Sequence, residues 1–223
     1  MGENIVITIA RQYGSGGKTI GAMLAKELGI NCYSREILKM ASEESGINEG
    51  LFGMSDEKIK KAPWFKILNR PYDGELLTPE DRDFVSDDNL FNYQAKVIRD
   101  LAEKESCVIV GRCADYILDQ EAYPTLNVFI HADMPHRISR VLERYGDTEV
   151  DVRKRLERKD RNRKTYYRYY TDREWGKYTN YQINLDSGYL GVDQCVRIIV
   201  DTVRAMDRGN DTAEQKTDEK NKA

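Results

Sequence analysis

Lys18 and Thr19 follow Gly14, Gly16 and Gly17 in the stretch RQYGSGGKTIG at 11–21, directly after the apolar run IVITI at 5–9. An ammonium and a hydroxyl at that spacing suit a polyphosphate. Glycines permit positive φ and close backbone approach, so amides of residues 14–19 can cradle phosphate oxygens. In such a cradle Gly14, Ser15, Gly16 and Gly17 offer backbone N–H groups. Lys18 reaches the β- and γ-phosphates of ATP, and Thr19 puts its hydroxyl on Mg²⁺. The full pattern G-x-x-x-x-G-K-[ST] has Gly where this chain has Gln12, which changes the first bend of the loop. The plainer reading is a glycine turn that lets a strand and a helix pack. The strand before, the helix after and the phase of GKT favour phosphate.

Two further stretches carry cations. In VIVGRCADYIL at 108–118, Gly111 and Arg112 end a buried strand. An arginine there points into the crevice where α/β proteins bind ligands, and its planar fork suits a phosphate or a pyrimidine edge. A surface arginine paired with Asp115 is the simpler alternative. Between Val152 and Lys164 lie eight Lys or Arg and two acids, followed by six tyrosines from Tyr166 to Tyr181. On a helix Arg155, Lys159 and Arg163 share one face, and Asp160 can pair with Lys164. Arginines on a mobile lid that closes over transferring phosphates would look like this, and so would an RNA-binding Arg/Tyr patch. Net charge and the upstream loop favour the lid.

The elements that must position these residues follow from periodicity. Strands are expected at 5–9, 30–33, 107–110, 126–132 and 181–187. Helices are expected from Lys18 to Gly29, over 35–45, 90–104 and roughly 150–165, with one near Pro135 and a last one from Val192. Val192, Val196, Ile199, Val203 and Met206 fall on one face of that last helix. Residues 46–90 hold three of the five prolines with weak periodicity and read as a mobile insertion. Residues 207–223 have no apolar pattern and read as a disordered tail. Strands alternating with helices give an α/β fold with a parallel sheet covered on both faces.

Composition narrows the chemistry. Of 223 residues 40% are apolar, enough for one core, and the net charge of −3 gives no global field toward nucleic acid. The four cysteines form no CxxC pair and read as free thiols, while only two histidines are present, too few for a histidine-rich metal site. No run approaches a membrane span and no secretory signal is read, so the expectation is a soluble cytoplasmic protein without nucleic-acid or membrane partners. Protein partners are not specified.

The segments ITIARQYGSGGKTIG, YSREIL, VIVGRCADYIL, KDRNR and INLDS together resemble the cytidylate kinase-like family of P-loop nucleoside monophosphate kinases, over most of residues 4–205. The resemblance implies a P-loop NTPase-type three-layer α/β/α fold with a five-stranded parallel sheet. It places one domain over 1–206, with a helical acceptor-binding insert at about 40–92 and a lid at about 146–180. It implies Mg²⁺ and ATP as donor, with a nucleoside monophosphate, CMP or dCMP, as acceptor. By position Lys18 and Thr19 match the phosphate-loop residues, and Arg112 matches the arginine that contacts the monophosphate. Asp160, Arg161 and Arg163 match lid positions, with Arg158 close enough to join Lys18, Arg161 and Arg163 in catalysis. Arg35 and Asp115 are further acceptor candidates. The chain departs from the bacterial DGRD motif with Val110 and Cys113, from a lid arginine with Leu156, and from YDRE with Ser34. A kinase for a non-nucleotide metabolite and a silent nucleotide-binding regulator are the alternatives.

Overall fold

A computed structural model describes residues 4–55, 75–119, 123–145 and 148–221. Five strands form one parallel sheet: β1 (Val6–Arg11), β2 (Asn31–Tyr33), β3 (Cys107–Val110), β4 (Thr125–His131) and β5 (Ile183–Asp186), in the order β2-β3-β1-β4-β5. β1 sits at the centre. Ile9 faces Val110 on one side and Val128 on the other. Because side chains alternate across a strand, β1 and β3 send odd and even residues into different cores. Ile7, Ile9, Val108 and Val110 join one core with α1 (Gly17–Leu28) and α9 (Val192–Asn221). Val6, Ala10, Cys107 and Ile109 join the other, with α2 (Glu36–Ser45), α4 (Asp87–Lys104) and α5 (Ala114–Asp119). Three layers result, as the sequence requires.

The chain is punctuated where its residue types dictate. Gly29 and Gly46 adopt the left-handed region and close α1 and α2 by returning their N–H groups to Ala25 and Ser42. α4 begins at Asp87, three residues before the position that periodicity suggests. Ser86 caps it by accepting the Asn89 N–H, and Asp87 and Asp88 face the helix dipole. The stretch after Gly46, expected to be irregular, includes one short helix, α3 (Glu49–Ser55), while residues 56–74 of the expected insertion lie outside the described residues. The return segment is fastened to α4: Asn89 accepts the Leu77 N–H and donates to the Phe84 carbonyl, and Tyr93 donates to the Leu77 carbonyl.

The charged helix after α6 (Met134–Tyr145) is longer than its charge pattern suggests. α7 runs Glu149–Thr171, through the tyrosines rather than stopping near 165. Tyr166, Tyr167 and Tyr170 are buried, so this helix end has an apolar face made of rings. Phe91 of α4 stacks on Tyr170 with centroids 3.8 Å apart and planes at 5°. Tyr169 donates to Asp88 and Tyr170 to the Asp87 carbonyl. Tyr166, Tyr167 and Tyr170 are structural rivets, which removes these three from any RNA-stacking surface. α9 keeps a helical backbone to Asn221, beyond residue 207, where the sequence alone starts a tail. A four-residue helix, α8 (Ser187–Leu190), links β5 to α9. Among the described residues no helix is long and apolar enough to cross a membrane.

Phe91 is 1% exposed and joins α4 to α7. Phe91→Ala is expected to cost about 3–5 kcal/mol of unfolding free energy. Urea denaturation followed by far-UV circular dichroism checks this, and a loss under about 1 kcal/mol would show that the rivet carries little.

Candidate active site

β1 delivers the glycine loop to the carboxyl edge of the sheet, and α1 opens there. Gly16 is the N-cap, in the left-handed region with φ 82°, and no side chain caps the helix. No acidic residue stands in its first turn either. The first-turn amides of Gly17, Lys18 and Thr19 therefore lack helical partners, and the positive end of the helix dipole is uncompensated. Lys18 and Thr19 are exposed to the cleft in front of them. Gly17 admits no side chain, because a Cβ would stand 2.6 Å from the Arg11 Cβ. At Gly16 a Cβ would collide with the Arg140 guanidinium.

Gln12, the departure from the glycine pattern, does work in the first bend. Its backbone N–H donates to the Ile130 carbonyl at 3.0 Å, and its side-chain Oε1 accepts the Ala132 N–H at 3.1 Å. Its carbonyl accepts from the Ser15 hydroxyl at 2.9 Å. A side-chain clasp onto the end of β4 thus replaces a glycine bend. Ser15 itself is buried and reaches the Ile130 carbonyl too.

α7 lies directly on this loop. Asp160 accepts the Tyr13 N–H at 2.7 Å and pairs with Arg137 of α6 at 2.5 Å, rather than with Lys164. Arg137 also donates to the Tyr13 carbonyl at 3.3 Å. Arg163 donates to the Arg11 carbonyl at 3.0 Å, with its guanidinium 5.7 Å from the centre of the Tyr13 ring. Leu156 takes the place of an expected lid arginine for a packing reason. It is fully buried with Ile138, Val141 and Val152 between α6 and α7 and abuts Gly14.

The opposite wall is a backbone outlier. Gly111, Arg112 and Cys113 are all left-handed, with φ of 86°, 59° and 56°. Left-handed conformations at two non-glycine residues cost about 1–2 kcal/mol each. This turn carries the buried Arg112 side chain to the cleft instead of along the strand. Glu36 lies near it. Its carboxyl is held below the ordinary range, first by its own backbone N–H, then by the Ser34 N–H and the charges of Lys18 and Arg112.

Between these walls is a cleft of about 440 Å³. Among the described residues seven lysines and arginines line it, with no aspartate or glutamate, on a chain of net charge −3. Lys18, Thr19, Arg35, Arg112 and Arg163, all anticipated from sequence, meet here with Gly14, Gly16 and Gly17. Arg158 and Arg161 do not: both are exposed on the outer side of α7, because helical phase gives the inner side to Lys159, Asn162 and Arg163. Asp160 supports the loop from behind, and Asp115 lies in a small neighbouring recess. Sequence reasoning missed Arg11 and Arg140. Lys159 was visible as one of three cations on one helical face, whereas nothing in the pattern marks Arg140.

The donor set also bears on a metal. Thr19 gives one hydroxyl, and among the described residues no carboxylate lines the cleft. Among the described residues no cluster of three His, Cys, Asp or Glu is placed to hold an ion. That set fits Mg²⁺ arriving with a polyphosphate, whose oxygens and water complete its coordination.

The chain belongs to the cytidylate kinase-like family, whose model matches residues 6–189. Among solved structures it is similar to an uncharacterized protein from Eubacterium ventriosum ATCC 27560, at 28% identity and a TM-score of 0.66, over 90% of this chain and 99% of that one. It is also similar to a shikimate kinase from Bacteroides thetaiotaomicron, at 13% identity and a TM-score of 0.50, over 90% of this chain and 98% of that one. At such identity the second likeness is one of fold, the P-loop kinase fold. No curated protein matches the chain.

Asp115 gives this region a pH signature. Burial pushes its carboxyl up to about 6 from an ordinary 3.8, against the lowering effect of the Tyr167 hydroxyl, which donates at 2.7 Å. Between those two values the folded chain holds a proton that the unfolded chain has lost. The stabilisation from protonated Asp115 is therefore full below about pH 4 and disappears as pH rises through about 6. Asp115→Asn should flatten that slope and raise stability at pH 7 by on the order of 1–3 kcal/mol. Urea melts at pH 4.5, 5.5 and 7 read it out, and an unchanged slope would contradict the assignment.

Proposed function

We propose that the chain transfers the γ-phosphoryl group of ATP to a nucleoside monophosphate, CMP or dCMP foremost, releasing ADP and a nucleoside diphosphate. The observation that carries this reading is the all-cationic cleft between an uncapped GGKT helix start and a buried arginine held in a left-handed turn. Each wall offers charge to a separate phosphate group, as a donor and a phosphorylated acceptor require.

The roles follow from position. The amides of Gly14, Gly16 and Gly17 and the uncapped first turn of α1 receive the donor's β-phosphate, whereas the Ser15 N–H, expected to join them, is spent on the Gln12 carbonyl at 3.3 Å. Lys18 spans the β- and γ-oxygens, and Thr19 is the residue to hold Mg²⁺, which when bound neutralises charge shared by those phosphates. Arg112 receives the acceptor's monophosphate, with Arg35 beside it. Lys159 and Arg163, presented by α7, take over the charge-stabilising part that the sequence reading gave to Arg158 and Arg161. An acceptor phosphate oxygen attacks the γ-phosphorus as the bond to the bridging β-oxygen breaks. That oxygen is already anionic near neutral pH, so no general base is needed. The protein positions, neutralises and excludes water, since an accessible site would hydrolyse ATP.

A second reading keeps the phosphoryl transfer and changes the acceptor. Val110 and Cys113 flank Gly111-Arg112 and are both buried and apolar, so neither flanking residue offers a carboxylate to read a base edge. Asp115 in the adjoining recess is the candidate for that task that the sequence offers. A non-nucleotide acceptor, of the kind the shikimate kinase named above takes, follows if Asp115 serves only the fold.

A coupled ADP-release assay across CMP, dCMP, UMP, AMP, GMP and shikimate separates these readings. Turnover highest with CMP or dCMP supports the first; turnover with shikimate alone supports the second. Tight ATP binding without ADP formation under any acceptor would point to a silent regulator. Lys18→Ala is expected to lower turnover on the order of 10²–10³-fold, in line with loss of other charge-stabilising donors. Arg112→Ala should raise the acceptor KM with little change in that for ATP, and equal loss of both would overturn its role.

A further inference from the structure

We infer that Ser187 is a positioning residue for the phosphate loop: by holding the Ser15 carbonyl away from the cleft, it aims the Gly16 N–H into it. The inference rests on the phosphate-loop reading above and adds a residue from the far end of the chain. Ser187 opens α8, is 1% exposed and lies outside the cleft lining. Its hydroxyl reaches the Ser15 carbonyl at 2.6 Å and the His131 carbonyl at 3.0 Å. A hydroxyl has a single proton to give, and the shorter contact is to the loop. Arg140 adds a second bond to the same Ser15 oxygen at 2.8 Å.

A trans peptide is planar, so the carbonyl of one residue and the N–H of the next point in opposite directions. Pinning the Ser15 oxygen toward α6 and α8 therefore turns the Gly16 N–H the other way, toward the cleft. The same arrangement recurs two residues earlier. Arg137 holds the Tyr13 carbonyl at 3.3 Å, which turns the Gly14 N–H. Both glycines have φ near 80°, a torsion that side chains rarely adopt, and the Arg140 guanidinium packs close against Gly16. Ser187 is itself held in place. Asp186 caps α8 by accepting the Gly188 and Tyr189 N–H groups at 2.9 and 3.2 Å. Arg140 lines the cleft and can touch a ligand directly, whereas Ser187 acts only through the loop.

The test uses the full chain, magnesium tripolyphosphate as a phosphate-only probe and adenosine as a phosphate-free one. Calorimetry should show Ser187→Ala binding tripolyphosphate about tenfold more weakly than the native chain, as loss of one well-placed hydrogen bond allows. Adenosine affinity and far-UV circular dichroism should stay unchanged. Ser187→Thr, which keeps the hydroxyl, should restore tripolyphosphate binding. A folded Ser187→Ala variant with native tripolyphosphate affinity overturns the inference. Nuclear magnetic resonance of the native chain supplies an arm that no folding defect can spoil: the Gly16 amide proton should move downfield on adding tripolyphosphate. Movement of the Lys18 and Thr19 amides with Gly16 unmoved overturns the role of Ser187 while leaving phosphate binding intact. A native chain that binds neither tripolyphosphate nor Mg·ATP overturns the phosphate-loop reading, and this inference with it.

Discussion

The uncapped start of α1 attracts negative charge, and its own first turn supplies none. The first turn of α1 has no capping side chain and no carboxylate, so its amides and dipole remain for an anion. Everything nearby serves that constraint. Parallel strands bring β1, β3 and β4 to one edge with their carboxyl ends together, so the glycine loop, the Arg112 turn and the start of α6 meet without long connections. The cations that converge there repel one another, and each must be held by packing or by a backbone carbonyl. Arg140 and Arg163 are held in this second way, on Ser15 and Arg11.

α7 is a rod with two kinds of ends. Its first half contacts the loop through Leu156, Asp160 and Arg163, and its second half is fixed to α4 by aromatic rings and by bonds to Asp87 and Asp88. A buried ion pair, Arg137 with Asp160, sits where the rod crosses the loop, and Asp160 also takes a backbone N–H, so its charge is doubly compensated. Such a pair contributes more to a unique arrangement than to net stability, since desolvation offsets much of the attraction.

Much of this was legible in the residues. Short β-branched runs bounded by turn signals located the strands, and GGKT after the first of them located one wall of the cleft. Arg112 at a strand terminus was also readable, because a parallel sheet directs that position to the ligand edge. What stayed hidden depends on how elements rotate against one another. Eight cations within Val152–Lys164 are equivalent in sequence, and only the burial of Val152 and Leu156 decides that Lys159 and Arg163 face inward while Arg158 and Arg161 face out. Arg140 and Ser187 act on a carbonyl more than 100 residues away, at separations of 125 and 172, and no local pattern reports such a contact. Gln12 looked like a defect in a motif because the motif counts glycines, whereas the fold needs a bend held against β4.

The left-handed turn at Arg112 and Cys113 has a consequence for the chain's freedom to vary. Cys113 is 5% exposed in an apolar setting, which on burial alone would admit valine, isoleucine or threonine. Its φ of 56° closes the position to them, because a branched β-carbon clashes with the backbone there. Asparagine or glycine would suit the torsion but leave the core with a polar group or a gap. Sequence drift at this corner is thus confined to a few small, unbranched side chains, and a library built on hydrophobicity profiles would sample mostly dead variants.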